Sequence, residues 1–148
     1  MKLSEFLVKA KIATYASESG ANEKILEDGA KELTSEKGEF KYRDRYYGFN
    51  PFSGEEIVWK KDKIIWGMNY FGKISSDIVS GKEVYNFLKK AMRQVKQDRP
   101  FRGPNKFNLG NFRYVDESTG DVNRFRGIEK IFFNNHEIYC LDYHGGIM

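Results

Sequence analysis

The sequence repeats itself. Phe52–Ile74 lies without a gap on Phe125–Ile147, and 7 of the 23 aligned positions are identical. They are Phe52/Phe125, Gly54/Gly127, Glu56/Glu129, Ile65/Ile138, Tyr70/Tyr143, Gly72/Gly145 and Ile74/Ile147. After a one-residue shift the match extends upstream, pairing Phe40, Tyr42, Asp44 and Gly48 with Phe112, Tyr114, Asp116 and Gly120. Phe6-Leu7-x-Lys9-Ala10 recurs as Phe87-Leu88-x-Lys90-Ala91. A chain of 148 residues is one domain in length. Two like units of about half that length each lack the means to bury an apolar face alone and are expected to bury it on each other. The expectation is one duplicated domain over 1–148, with repeat one at about 3–74 and repeat two at about 82–147.

The local pattern is helix then strands, twice. Leu3, Phe6, Leu7 and Ala10 share a helical face, which predicts a helix from Leu3 to about Tyr15 with Ser4 as its cap. Ala16–Gly38 is polar, holds three glycines and reads as a long surface loop with one short strand near Leu33. Phe40–Tyr47 reads as a strand. Glu55–Lys60 and Lys63–Gly72 form a hairpin turning at Lys61-Asp62, and its copy turns at Asn134-Asn135. Ser80-x-x-Glu83 is a capping-box pattern that opens a second helix over about Lys82–Lys96. Val84, Phe87, Leu88, Ala91, Met92 and Val95 form its apolar stripe. Gln97–Gly110, with Pro100 and Pro104, is a connector before a second three-stranded unit over Asn111–Ile147. The expected fold is α+β: internally duplicated αβββ units, a mainly antiparallel sheet and two main helices packed on one side.

Composition excludes several classes. The net charge of +4 is spread along the chain rather than blocked, and marks a solvated surface more than a nucleic-acid footprint. A single cysteine, Cys140, leaves no disulfide framework and no Cys-rich zinc site. No apolar run reaches membrane-spanning length, and Met1–Tyr15 lacks the core of a secretory signal, so the cytoplasm is the expected location. Neither G-x-G-x-x-G nor a P-loop is present. No cofactor or metal is implied.

With two-residue turns, strict alternation places Glu56 among Phe52, Gly54 and Val58, opposite Ile65, Gly67 and Asn69. Its copy places Glu129 by Ile131 and Phe133, opposite Ile138, Cys140, Asp142 and His144. Each glutamate then has apolar neighbours and faces a small residue, a setting that calls for a partner, a shifted pKa or a polar cavity. One use is an aromatic-walled pocket for an unknown small molecule. Its candidate lining is Glu56, Asn69, Trp66, Tyr70, Arg102, Glu129, Asp142 and His144. The other is structural, each glutamate braced by an arginine such as Arg43 or Arg102, or simply solvated. His144 close to Asp142 and Glu129 suits acid–base catalysis. Exposed aromatics suit a protein partner or a homodimer.

These pieces, in order, resemble an uncharacterised prokaryotic domain family found alone or fused behind Xre-type helix-turn-helix regulators. The matching residues are Phe6-Leu7-x-Lys9-Ala10, Thr14-Tyr15-Ala16, Tyr42-Arg43-Asp44-x-Tyr46-x-Gly48 and Phe52-x-Gly54-x-Glu56-x-Val58-Trp59. They continue through Trp66-x-Met68-Asn69-Tyr70-x-Gly72, Phe87-Leu88-x-Lys90-Ala91, Pro100-Phe101-Arg102-Gly103-Pro104, Phe125-x-Gly127-x-Glu129-x-Ile131 and His144-Gly145-Gly146. The resemblance implies no set activity. By analogy of gene fusion it implies a signal-sensing module tied to transcription.

Overall fold

The computed structural model describes residues 1–18 and 22–148, so residues 19–21 of the Ala16–Gly38 stretch lie outside the described residues. Helix α1 (Leu3–Ala13) is followed by β1 (Lys24–Ile25), β2 (Lys31–Lys37), β3 (Phe40–Gly48), β4 (Phe52–Lys60) and β5 (Lys63–Ile74). Helix α2 (Gly81–Met92) then leads to β6 (Lys106–Leu109), β7 (Phe112–Asp121), β8 (Arg124–Phe133) and β9 (His136–Ile147). All nine strands make one antiparallel sheet in the order β1-β2-β3-β4-β5-β9-β8-β7-β6. Each half is a meander, and the meanders join edge to edge through β5 and β9. Tyr70 and Tyr143, equivalent in the repeat, pair with each other across that join.

This corrects the α+β expectation. The described residues are 53% strand and 16% helical, a largely β fold built on a single sheet rather than duplicated αβββ units. Two features account for the difference. The polar stretch before Phe40 supplies β1 as well as β2, the latter a seven-residue strand around the expected Leu33, and the connector after Pro104 adds β6. The β5–β9 pairing then fuses both halves into one ladder, so neither helix has a sheet of its own.

Both helices lie on one face. α1 buries Phe6, Leu7, Ala10 and Lys11, and Phe6 stacks on Phe40 at 4.9 Å. Its N-cap is Lys2 with no side-chain cap; Ser4 lies inside the helix. In α2 the Ser80 hydroxyl accepts from the Glu83 N–H, and Val84, Phe87, Leu88, Ala91 and Met92 are buried. Phe87 stacks on Phe107 and Phe112 at 5.8 and 4.8 Å. The opposite sheet face carries no helix, and Phe71 and Ile128 on it are 52% and 44% exposed.

The hairpin turns form at Lys61-Asp62 and Asn134-Asn135, all four with positive φ. Two residue pairs beyond each turn the register shifts, between Val58 and Trp59 and again between Ile131 and Phe132. These bulges add one residue to β5 and β9. Glu56 therefore pairs with Met68, not Gly67, and Glu129 with Leu141, not Cys140. Beyond the bulge every β5 and β9 side chain takes the face opposite to the one strict alternation assigns.

Candidate ligand-binding cleft

Because of that shift, the glutamates share the helix-covered face with Trp66, Met68 and Tyr70 and with Tyr139, Leu141 and Tyr143. Alternation along β3 and β7 adds Tyr42 and Asp44, and Tyr114 and Asp116. Asp44, Glu56, Asp116 and Glu129 are all buried. Four carboxyl groups inside one core require compensation.

Glu129 is fully satisfied. Arg102, from the connector, grips it with two parallel bonds, Nε to Oε2 at 3.2 Å and Nη2 to Oε1 at 2.9 Å. Tyr114 donates to Oε2 at 2.5 Å and Tyr139 to Oε1 at 2.7 Å. Glu56 is held differently. The Lys11 ammonium of α1 lies 2.5 Å from Oε1, and the Tyr42 hydroxyl donates to the same oxygen at 2.6 Å. Oε2 has no partner among the described residues, and neither does the indole N–H of Trp66, which occupies the Tyr139 position of the repeat. The cations also meet aromatic rings. Lys11 Nζ is 5.7 Å from the centre of Tyr15 and 5.6 Å from Trp66; the Arg102 guanidinium is 5.5 Å from Tyr15 and 5.3 Å from Tyr70.

Each aspartate accepts from the paired central tyrosine of its own half. Tyr70 donates to Asp44 Oδ1 at 2.5 Å, and Tyr143 to Asp116 Oδ1 at 2.7 Å. To reach across, each phenol passes over a glycine on the intervening strand. A Cβ on Gly54 would stand 2.5 Å from the Tyr70 oxygen, and one on Gly127 would collide with the Tyr143 phenol. The repeated glycines are thus the clearance for two hydrogen bonds. Burial, and then the charge of Glu56, raises the Asp44 carboxyl to about 7 against the stabilising Tyr70 bond and the Arg102 and Lys11 charges. Burial and Glu129 likewise raise Asp116 to about 7. Burial lowers the pKa of Lys11, with Glu56 opposing.

The two halves differ in access. Arg99 covers Asp116, donating to its backbone oxygen at 2.9 Å and to Ser118 Oγ at 3.0 Å, and Phe101 stacks on Phe125 at 4.0 Å above the same half. Asp44 instead opens on a cleft of about 510 Å³. Its floor includes Asp44, Tyr70, Arg102 and Tyr15. The Tyr15 hydroxyl is buried and has no hydrogen-bond partner among the described residues. Phe49, Phe52 and Tyr85 form an aromatic wall, with Phe49 against Tyr85 at 4.8 Å and Phe52 against Tyr85 at 5.7 Å. Lys31, Lys82 and Lys89 stand at the rim with Glu23.

The eight residues marked by sequence separate into two groups. Glu56, Trp66, Tyr70, Arg102 and Glu129 meet on the inner face, where Tyr70 and Arg102 touch the cleft while both glutamates lie behind its floor. Asn69, Asp142 and His144 are exposed on the outer face, where Asn69 pairs with His144 in the ladder. His144 and Glu129 are on opposite faces of the sheet and do not meet. Sequence reasoning missed Lys11, Tyr15, Asp44 and Asp116. Asp44 and Asp116 carried a usable signal, since both recur in the repeat at alternate positions from a recurring tyrosine.

Among the described residues no group of three or more His, Cys, Asp or Glu side chains is placed to hold a metal ion. No helix among them is long and apolar enough to cross a membrane. Neither a protein of curated function nor a solved structure matches the chain. Residues 44–148, which span β3 from Asp44 through β9, match the family described as Domain of unknown function (DUF5680), and the chain belongs to that family.

Proposed function

We propose that this protein is a non-catalytic small-molecule-binding domain whose ligand sits in the cleft between α2, the end of α1 and the first meander. One observation carries the reading: an aromatic-walled cleft of about 510 Å³ ends on the Tyr15 hydroxyl, which has no hydrogen-bond partner among the described residues, and on Asp44, a buried carboxyl with no ion-pair partner among them. That volume falls in the usual range for small-molecule sites, and an apolar wall with a few convergent polar groups is their usual chemistry. The closed second half, with the same aspartate and tyrosine covered by Arg99, supports specialisation of the first. Resemblance to domains joined to Xre-type regulators supports a sensory use in the cytoplasm, coupled to transcription through a DNA-binding partner.

The test is thermal melting of the intact protein against a diverse panel of small molecules, with Phe49→Ala/Tyr85→Ala as control. Phe49 is 57% exposed and Tyr85 is half-buried against Phe52 and Tyr139, so circular dichroism of the double variant must show the sheet intact. Compounds that raise the melting temperature of the parent protein are expected to lose that effect in the double variant. Stabilisation that survives unchanged, or a panel with no stabilising member, would sink the reading.

A further inference from the structure

We infer that the cleft takes an organic cation, an ammonium group carried on an aromatic or otherwise apolar body, with Asp44 as its counter-ion. This deepens the ligand-site reading and rests on it.

The buried charges of the inner face do not balance. Lys11 pairs with Glu56 and Arg102 pairs with Glu129, one cation to each carboxylate. Asp44 is the third carboxyl of this cluster, and among the described residues it has no ion-pair partner; its Oδ1 accepts from a neutral phenol. It is also the carboxyl of the three that reaches the cleft. A cation arriving there supplies the missing third partner and converts an odd carboxyl into an ion pair at low dielectric, where such a pair is strongest. The surroundings suit the same guest. Tyr15 and Tyr70 already turn their faces to one cation, Arg102, which shows that the floor rings present their electron-rich sides to positive charge. The unpartnered Tyr15 oxygen can accept a second N–H from the ammonium. Phe49, Phe52 and Tyr85 cover the apolar body.

The rim charges oppose this guest but do not decide the matter. Lys82 and Lys89 are exposed and solvated, and Lys31 lies against the Tyr46 ring at 5.8 Å. Mobile charges in water are screened over about 10 Å, whereas a buried carboxyl is not.

A proton is coupled to the event. The groups facing Asp44 are Lys11 from α1, Tyr15 just after that helix, Tyr42 and Tyr46 from its own strand, Glu56 from β4, Tyr70 from β5 and Arg102 from the connector. Glu23, Lys31, Lys82, Tyr85 and Lys89 line the same cleft further out. Of these, Asp44 is raised to about 7, so near neutrality a bound cation ionises it and a proton leaves to solvent.

The experiment is calorimetric titration of the intact protein with two probes of like shape and opposite charge, tryptamine and indole-3-propionate, at about pH 6 and about pH 8, on either side of the Asp44 titration. Tryptamine is expected to bind at least about tenfold more tightly than indole-3-propionate at the higher pH, the worth of one charge-assisted hydrogen bond. The preference should shrink at the lower pH, where the measured heat should vary with the ionisation enthalpy of the buffer. Asp44→Asn should abolish the preference, and Phe49→Ala should weaken both probes. Equal or tighter binding of indole-3-propionate would overturn the cation assignment while leaving the cleft a ligand site. Tryptamine binding that is indifferent to pH in the parent protein would overturn it too, whether or not Asp44→Asn folds. Failure of both probes to bind would overturn the assignment, while the ligand-site reading stands or falls on the panel melt.

Discussion

At the scale of single residues, the core is organised by how each carboxyl is neutralised. Lys11 is fully buried, and its loss would strand Glu56 without a counter-charge. Lys11→Met is therefore expected to cost about 3–5 kcal/mol in chemical denaturation, and adding Glu56→Gln should recover much of it, since an apolar or neutral pair removes the stranded charge. The aspartates act in the opposite sense. Their folded pKa of about 7 lies above the ordinary 3.8, so the folded state holds protons that the unfolded state has released. The stability they contribute is complete below pH 3.8 and lost as pH rises to about 7. Melting temperature should fall over that window, and Asp44→Asn/Asp116→Asn should flatten the slope. A rising profile in the parent, or an unchanged slope in the variant, would contradict this account. Sequence pointed to Glu56 and Glu129 because repetition and apolar neighbours made them conspicuous, and to Arg102 as a brace. Lys11 left no such trace. The helix repeat Phe6-Leu7-x-Lys9-Ala10 ends one position before it, and the matching place in α2 is Met92. The cation for the second glutamate comes from the connector instead, so no periodic pattern links the two.

At the scale of elements, α2 is the better read of the two helices, because its stripe and Ser80 cap are both written locally. Phe87 is 3% exposed between Phe107 and Phe112. Phe87→Ala should lower stability by about 3–5 kcal/mol, measured by urea denaturation; a change within experimental error would mean that these rings close over the gap. The hairpins show where local reading stops. Asp62, Asn134 and Asn135 carry side chains that tolerate positive φ, and both turns form at them, with Lys61 also at positive φ. A bulge is set by the twist and closure of the sheet around it and has no comparable residue signature here. One extra residue in β5 and in β9 was enough to move Trp66, Met68 and Tyr70 beside Glu56, and to send Asn69, Asp142 and His144 to the outer face. The edge strands β1 and β6 were hidden for a related reason, and of β2 only a short stretch near Leu33 was legible. Polar sequences such as Lys31–Lys37 pair through their backbones, and hydrophobic alternation does not report that.

At the scale of the whole molecule, the two meanders are joined by more than the β5–β9 ladder. Arg102 of the second half lies over Tyr15 and Tyr70 of the first, Trp66 stacks on Phe125 at 5.6 Å, and Phe52 lies 6.4 Å from Tyr139. Separating the halves would leave β5 and β9 as open apolar-flanked edges and uncover Glu129's side of the core, an arrangement each half alone has too little surface to compensate. Unfolding is therefore expected to be a single transition. Both tryptophans, Trp59 and Trp66, lie in the first half, so fluorescence reports that half while far-ultraviolet circular dichroism reports the entire sheet. The two denaturation curves should coincide in midpoint and slope, and residues 1–80 or 81–148 expressed alone should show no cooperative transition. Curves that part, with fluorescence changing ahead of the dichroism, would show that the first meander opens on its own and that the shared core couples the halves less than its geometry requires.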